Sequence, residues 1–324
     1  MRRGLGISCT GLGAFFLVLA LLLRFYLPAQ LIKFPLNEYR LTTLTGQGIS
    51  YFSQGRLKEI RDAAVQATST LEGDVAAGTS ALAVWNEFTA VNDITNNGPI
   101  QYLSQRSAFG RRSGLITDCC GAFVSISNLP ASSGHQSGLA YAWPIGTQPV
   151  TYQVFDPFLR GPEPYRYQGT ATTDGMTSYK FVEQVTNQRF AAQTLPGSLL
   201  GLPGQPSVTL PEYLTETNTD WVDPATGTVL SATQNRTLSL EDNTGATRLV
   251  LFQGSLTATP ASVASAVSAA RSLHLKIEGV ADIGPLVAVL LGIILLVVGV
   301  ALSVARLNDD QFAYEDDEPV GSAF

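Results

Sequence analysis

The sequence predicts a mainly β fold: an antiparallel, sandwich-like extracytoplasmic domain, with room for two sub-lobes, flanked by N- and C-terminal transmembrane helices. Three observations carry that expectation. Two uncharged apolar runs lie near the ends, 20 residues between Arg3 and Arg24 and 23 residues between Asp282 and Arg306. A helix rises about 1.5 Å per residue, so each run covers the roughly 30 Å of a bilayer's hydrocarbon core. The middle is rich in Thr, Ser, Gly, Ala and Pro, with β-branched and aromatic residues throughout, a composition of strands and turns. Turn signals such as Asp174-Gly175 and Asp223-Pro224 divide it at short intervals.

Taken in order, residues 1–9 are expected to form a cytoplasmic N-terminus and 10–27 the first span. Its apolar stretch ends in Arg24-Phe25-Tyr26-Leu27-Pro28 with no small-x-small cleavage site, the pattern of an uncleaved signal anchor. Residues 28–282 form the domain. Strands are expected at Thr42–Tyr51, Val65–Leu71, Ala81–Val91, Gly121–Ser127 and Pro149–Phe155, and a hairpin over Gly169–Asn187 turns at Asp174-Gly175. Trp221 to Leu230 reads as strand, turn, strand, and Thr237–Leu240 and Arg248–Gly254 flank a turn at Asp242 to Gly245. Apolar residues at Val263, Ala266, Val267, Ala270, Leu273 and Ile277 recur at helical spacing, which predicts a membrane-proximal helix over 260–277. A break near Gly279–Pro285 then leads into the second span, 283–305, and an acidic cytoplasmic tail, 306–324. Two spans place both termini on one side of the plasma membrane. Arg2 and Arg3 argue for a cytoplasmic N-terminus, and Lys33 and Arg40 beyond the span offset them; export of long domains behind an N-terminal anchor makes the expected side of the domain extracytoplasmic.

Charge excludes one class of partner. Residues 28–282 hold 16 Lys/Arg and 20 Asp/Glu with no basic run, so there is no electrostatic footprint for nucleic acid. The tail sets six acids against Arg306, which reads as a solvated end or as a dock for a basic partner.

Cys119 and Cys120 are adjacent. They either close an eight-membered ring in an oxidising compartment, the favoured reading, or lie as two reduced buried side chains. No Cys-x-x-Cys or His cluster accompanies them, so a metal site is not expected there.

No catalytic set emerges. His135 sits in a Ser/Gly-rich loop with no Gly-x-Ser-x-Gly elbow, and His274 belongs to the membrane-proximal helix. Asp118, Asp220 and Asp223 lack the Asp-x-Asp-x-Asp-Gly spacing of a calcium loop, and a phosphate-binding Gly-Lys loop is absent. The expectation is a non-enzymatic protein without cofactor or metal.

The element Trp221-Val222-Asp223-Pro224-Ala225-Thr226-Gly227 resembles a motif of the actinobacterial PorA-like porin family. The order of features around it is similar as well: an N-terminal anchor, the Trp85 strand, Arg112-Ser113-Gly114, Tyr179-Lys180-Phe181, Leu195-Pro196-Gly197 and a C-terminal span. The resemblance implies an actinobacterial envelope protein linked to permeability and to export of mycolate-type glycolipids. Its implied partners are the lipid bilayer, an envelope glycolipid and a membrane transporter. The alternative is a scaffold that meets a transporter through its spans and tail. A membrane-spanning β-barrel is not expected, because its strands need about 9–11 residues of lipid-facing alternation, and the strands read here are short and interrupted by Pro.

Overall fold

The computed structural model describes residues 2–127 and 129–312. The chain forms two compact units: Lys33–Ser272, and the terminal segments up to Ile32 and from Leu273. In chain order the elements are α1 (Arg2–Leu21), a π-helical turn (Leu22–Tyr26), α2 (Leu27–Leu31), twelve strands, then α3 (Pro260–Glu278), a second π-helical turn (Gly279–Ile283) and α4 (Gly284–Phe312). The expected break near Gly279–Pro285 is therefore a π turn, with Glu278 and Gly284 both in right-handed helical geometry. Helix α4 also takes in Arg306–Phe312 of the supposed tail, while 313–324, including Glu315 to Glu318, lie outside the described residues.

The strands are β1 (Tyr39–Ser53), β2 (Lys58–Gly73), β3 (Leu82–Asp93), β4 (Gly98–Gly110), β5 (Ile116–Thr117), β6 (Phe123–Ile126), β7 (Tyr152–Asp156), β8 (Gly161–Thr173), β9 (Met176–Leu195), β10 (Val208–Val222), β11 (Val229–Glu241) and β12 (Thr247–Ala258). They pair antiparallel in the order β5-β4-β3-β2-β1-β12-β11-β10-β9-β8-β7, with β6 also on β4. This corrects two expectations. The domain is a single curled antiparallel sheet rather than a sandwich. Its main strands are also long, 20 residues in β9 and 16 in β2, because Thr, Gln and Asn on the outer face continue strands beyond their apolar residues.

The curl brings the two edges of the sheet together. Ile116 N–H donates to Gly138 O at 2.8 Å on one edge. On the other, Leu139 N–H donates to Gln153 O and Phe155 N–H to Leu139 O, both at 2.8 Å. Leu139 thus bridges Leu115 beside β5 and Val154 of β7. Gly138 is required at this seam: its φ is +91°, and a Cβ would sit 2.8 Å from Gln153 O.

Side chains alternate across the sheet as the pleat demands. On β2, Ala63, Val65, Ala67 and Leu71 point into the curl, and Gln66, Thr68 and Thr70 point out. The interior is packed. Ile49, Val65, Val185, Leu214 and Leu238 form one cluster; Phe34, Trp85, Phe109 and Ala142 form a second, with Trp85 edge-on to Phe109 at 4.8 Å. A third surrounds Trp143, which lies 4.2 Å from Phe181. Outside, Val267 and Ala270 of α3 cover Leu230, and Ser262 Oγ donates to Thr43 O at 3.1 Å.

Candidate functional site

Three local structures carry the chemistry, beginning with the helices. Within the terminal unit, α1 and α4 pack antiparallel along a seam of small residues. A Cβ on Gly13 would lie 2.9 Å from Gly292 O, and one on Gly299 would lie 3.0 Å from Gly6 O. The two glycines recur seven residues apart on each helix, and Ala20 and Ala288 are both nearly fully buried. This is the heptad spacing of a left-handed helix pair, and close backbone approach of this kind is how helices associate in lipid. The remaining faces are apolar and bare: Leu12, Phe15, Val18 and Leu21 on α1, and Leu286, Leu290, Ile294 and Val297 on α4, are all more than half exposed. A helix hidden in a soluble core would not show such a surface. Where the two π turns face each other, Arg24 donates to Ala281 O at 2.6 Å and to Asp282 Oδ1 at 2.7 Å. Beside that pair lies an apolar groove of about 520 Å³, lined mainly by Leu17, Ala20, Leu21, Phe25, Leu286 and Val289.

The second structure is the Trp221–Gly227 element. Val222 is fully buried and Trp221 partly so. After Val222 the chain turns, and Asp223 Oδ2 accepts hydrogen bonds from Thr226 N–H at 3.0 Å and Thr226 Oγ1 at 2.5 Å. Pro224 sits inside the turn. Gly227, at φ +71°, has Trp143 O where a Cβ would go, and its own carbonyl accepts Trp143 N–H at 3.3 Å; Ala225 O accepts Gly146 N–H at 3.1 Å. The turn thereby clasps the segment that follows the seam residue Leu139. On the loop after β5, Cys119 and Cys120 are joined as a vicinal pair with Cα atoms 3.8 Å apart, and Cys120 O accepts Arg106 Nε–H at 2.9 Å. His135 Nδ1 lies 2.8 Å from Asp118 Oδ2 on an exposed loop, with no hydroxyl nucleophile among its hydrogen-bond partners.

The third structure was not anticipated from sequence. The inner row of β10 reads Leu210, Glu212, Leu214, Glu216, Asn218, Asp220, Val222, so carboxylates alternate with leucines inside the curl. Glu216 is 2% exposed and accepts Arg236 Nε–H at 2.7 Å from its cross-strand partner on β11. Asn218 Nδ2 donates to Glu183 Oε2 at 2.5 Å from β9. Asp156, at the end of β7, accepts Leu159 N–H at 2.6 Å. Asp156, Glu183 and Glu216 each place a carboxylate oxygen within 4.8 Å of the others. Burial, and then the charge of Glu216, holds the Asp156 carboxyl well above its usual range and raises Glu183 to about 8. Burial raises Glu212 to about 7; it also raises Asp220 to about 7, against a hydrogen bond with Trp143. Burial opposes charge on Arg236, but Glu216 and Asp156 outweigh it and its pKa rises. The sequence signal was the recurrence of Glu212, Glu216 and Asp220 at four-residue intervals on one face of a strand, which is ordinarily the mark of a solvated face.

A family model described as porin PorA matches residues 5–301. The chain belongs to the porin PorA family. No curated protein matches it. The family and the two apolar helices point to a membrane protein, and the family points to a non-enzymatic role. The strands do not carry the membrane crossing in the manner of a β-barrel. A barrel in lipid turns its apolar residues outward, whereas here Val65, Leu214 and Phe181 face in and Gln66, Thr68, Thr215 and Thr217 face out.

Proposed function

We propose that this chain is a non-enzymatic, membrane-anchored cell-envelope protein that binds a lipid or glycolipid and assists envelope lipid transport or permeability. Its curled-sheet domain lies outside the plasma membrane, and its origin is actinobacterial. The observation that carries the lipid reading is the groove on the helix pair. Its walls are Leu, Ala, Phe and Val, and one end meets Arg24 and Asp282. An acyl chain satisfies the walls, and a polar headgroup satisfies the charged end, where Arg24 reaches the interface. The sheet interior is filled with side chains, so the lipid-binding part of the reading moves from the domain to the spans.

The test is native mass spectrometry of the full chain released from its own membrane in polymer-bounded nanodiscs. A lipid adduct is expected to survive detergent exchange and to be lost in Leu21→Trp and Leu286→Trp, which fill the groove. A wild-type chain that carries no lipid and takes up none when glycolipid is added refutes the reading. Recovery of a transporter with lipid-free spans supports a scaffold instead. Sidedness is read from protease added to spheroplasts, which should cleave the domain.

A further inference from the structure

We propose that Asp156, Glu183, Glu216 and Asn218 form an interior binding site for one calcium ion. The site is built for such an ion in four respects.

The first is charge. Three carboxylates face one guanidinium, Arg236. Fully ionised they would leave two negative charges unmatched, a costly arrangement to bury, and one divalent cation would match that deficit as the protons leave. Orientation is the second. Each carboxylate is already held through one oxygen by a donor of the protein: Glu216 by Arg236, Glu183 by Asn218, and Asp156 by the backbone of Leu159. Metal sites fix their ligands by outer bonds of this kind.

The third respect is independent of the acidic cluster itself. The side-chain oxygen of Asn218 is buried and accepts no hydrogen bond, although the amide nitrogen on the same group is bonded to Glu183; Asn218 is only 6% exposed. A buried acceptor without a donor is expensive, and this one, on an inward position of β10 beside Glu183, marks room for a ligand that accepts a lone pair. The fourth is donor type and spacing. All four groups offer oxygen, the preference of a hard cation, and oxygens sharing one calcium at 2.3–2.6 Å lie no more than about 5 Å apart. The carboxylate oxygens meet that limit at 4.8 Å. Donors drawn from β9, β10 and the end of β7 suit the irregular shell of calcium better than the strict octahedron of magnesium.

The test uses the full chain in detergent, stripped with EDTA. Calorimetry with calcium chloride is expected to give one ion per chain, and the melting temperature to rise with calcium concentration. Glu183→Gln and Asn218→Leu should weaken binding by about tenfold or more, while Asp118→Asn, at the exposed loop, leaves it unchanged. If those two variants do not fold, terbium on the wild-type chain decides. A buried ion retains few water ligands, so its luminescence lifetime should differ little between light and heavy water. The proposal is overturned if folded wild-type chain shows neither heat nor a melting shift with calcium, if binding survives both variants, if magnesium gives the larger shift, or if terbium is bound fully hydrated.

Discussion

One sheet encloses two interiors of opposite character. Toward β3 and β4, Phe34, Trp85, Phe109 and Tyr141 fill the curl with stacked and edge-on rings. Toward β9, β10 and β11, the same inward positions hold Glu183, Glu216, Asn218 and Arg236. The aromatic end is held by packing, which no second substitution restores once it is lost. The polar end is held by mutual compensation, so its parts are costly to remove singly and cheap to remove together.

Phe109→Ala should have the largest effect, about 3–5 kcal/mol of stability lost in denaturant unfolding. Arg236→Met, measured in EDTA, should cost about as much, about 3–5 kcal/mol, because Glu216 is left without its partner. The two ends then separate: adding Glu216→Leu to Arg236→Met should recover most of that loss, and no partner substitution should rescue Phe109→Ala. A double variant as unstable as Arg236→Met alone would erase the distinction.

Acidity sharpens it further. Glu212, Asp220 and Glu183 have folded pKa values near 7, 7 and 8, above the ordinary carboxylate range. Between the unfolded and folded values the unfolded chain holds fewer protons, so the contribution of these three carboxyls is full below about pH 4 and is lost as pH rises through 8. In EDTA the melting temperature should drop by several degrees from pH 5 to pH 8, at about 2–4 °C per kcal/mol. Asp74 and Asp93 are lowered instead and lose their contribution only in acid below that window. A melting temperature that rises from pH 5 to 8 would show that the carboxyls stay ionised within the fold.

Gly227→Ala should cost about 1–3 kcal/mol, from the positive φ and the approach to Trp143 O, and should blue- or red-shift Trp143 fluorescence as the clasp loosens. The vicinal ring is checked by intact mass, with a gain of two hydrogens on reduction. Arg61→Ala, which breaks an exposed pair with Glu59, should change stability by less than about 0.5 kcal/mol.

Much of the strand order was legible because turns announce themselves. Asp174-Gly175 and Asp242 to Gly245 sit where the chain reverses between β8 and β9 and between β11 and β12. Strand β4 was missed because its Gln101, Ser104, Gln105 and Ser107 hide the alternation, although Gln105 and Ser107 are buried and hydrogen-bonded at 3.1 Å. The Ser132–Gly138 stretch read as a flexible loop. It nevertheless carries Gln136, 2% exposed, whose amide bonds Ser107, Arg106 O and Phe123 O. Its polarity serves buried partners rather than water.

Taken alone, the sequence determined what local chemistry dictates. Uncharged runs long enough for a bilayer become apolar helices, Asp-Gly pairs become hairpin turns, and Thr-rich segments become antiparallel strands. Only the tertiary structure decided that the sheet would curl until Leu139 joined its edges, that Gly6 and Gly13 would meet Gly299 and Gly292, and that Asp156, Glu183 and Glu216 would converge from strands up to 60 residues apart. The physical reason is that a side chain's period along a strand tells which face it shares with its neighbours. Which of the two faces becomes the inside depends on how the whole sheet bends.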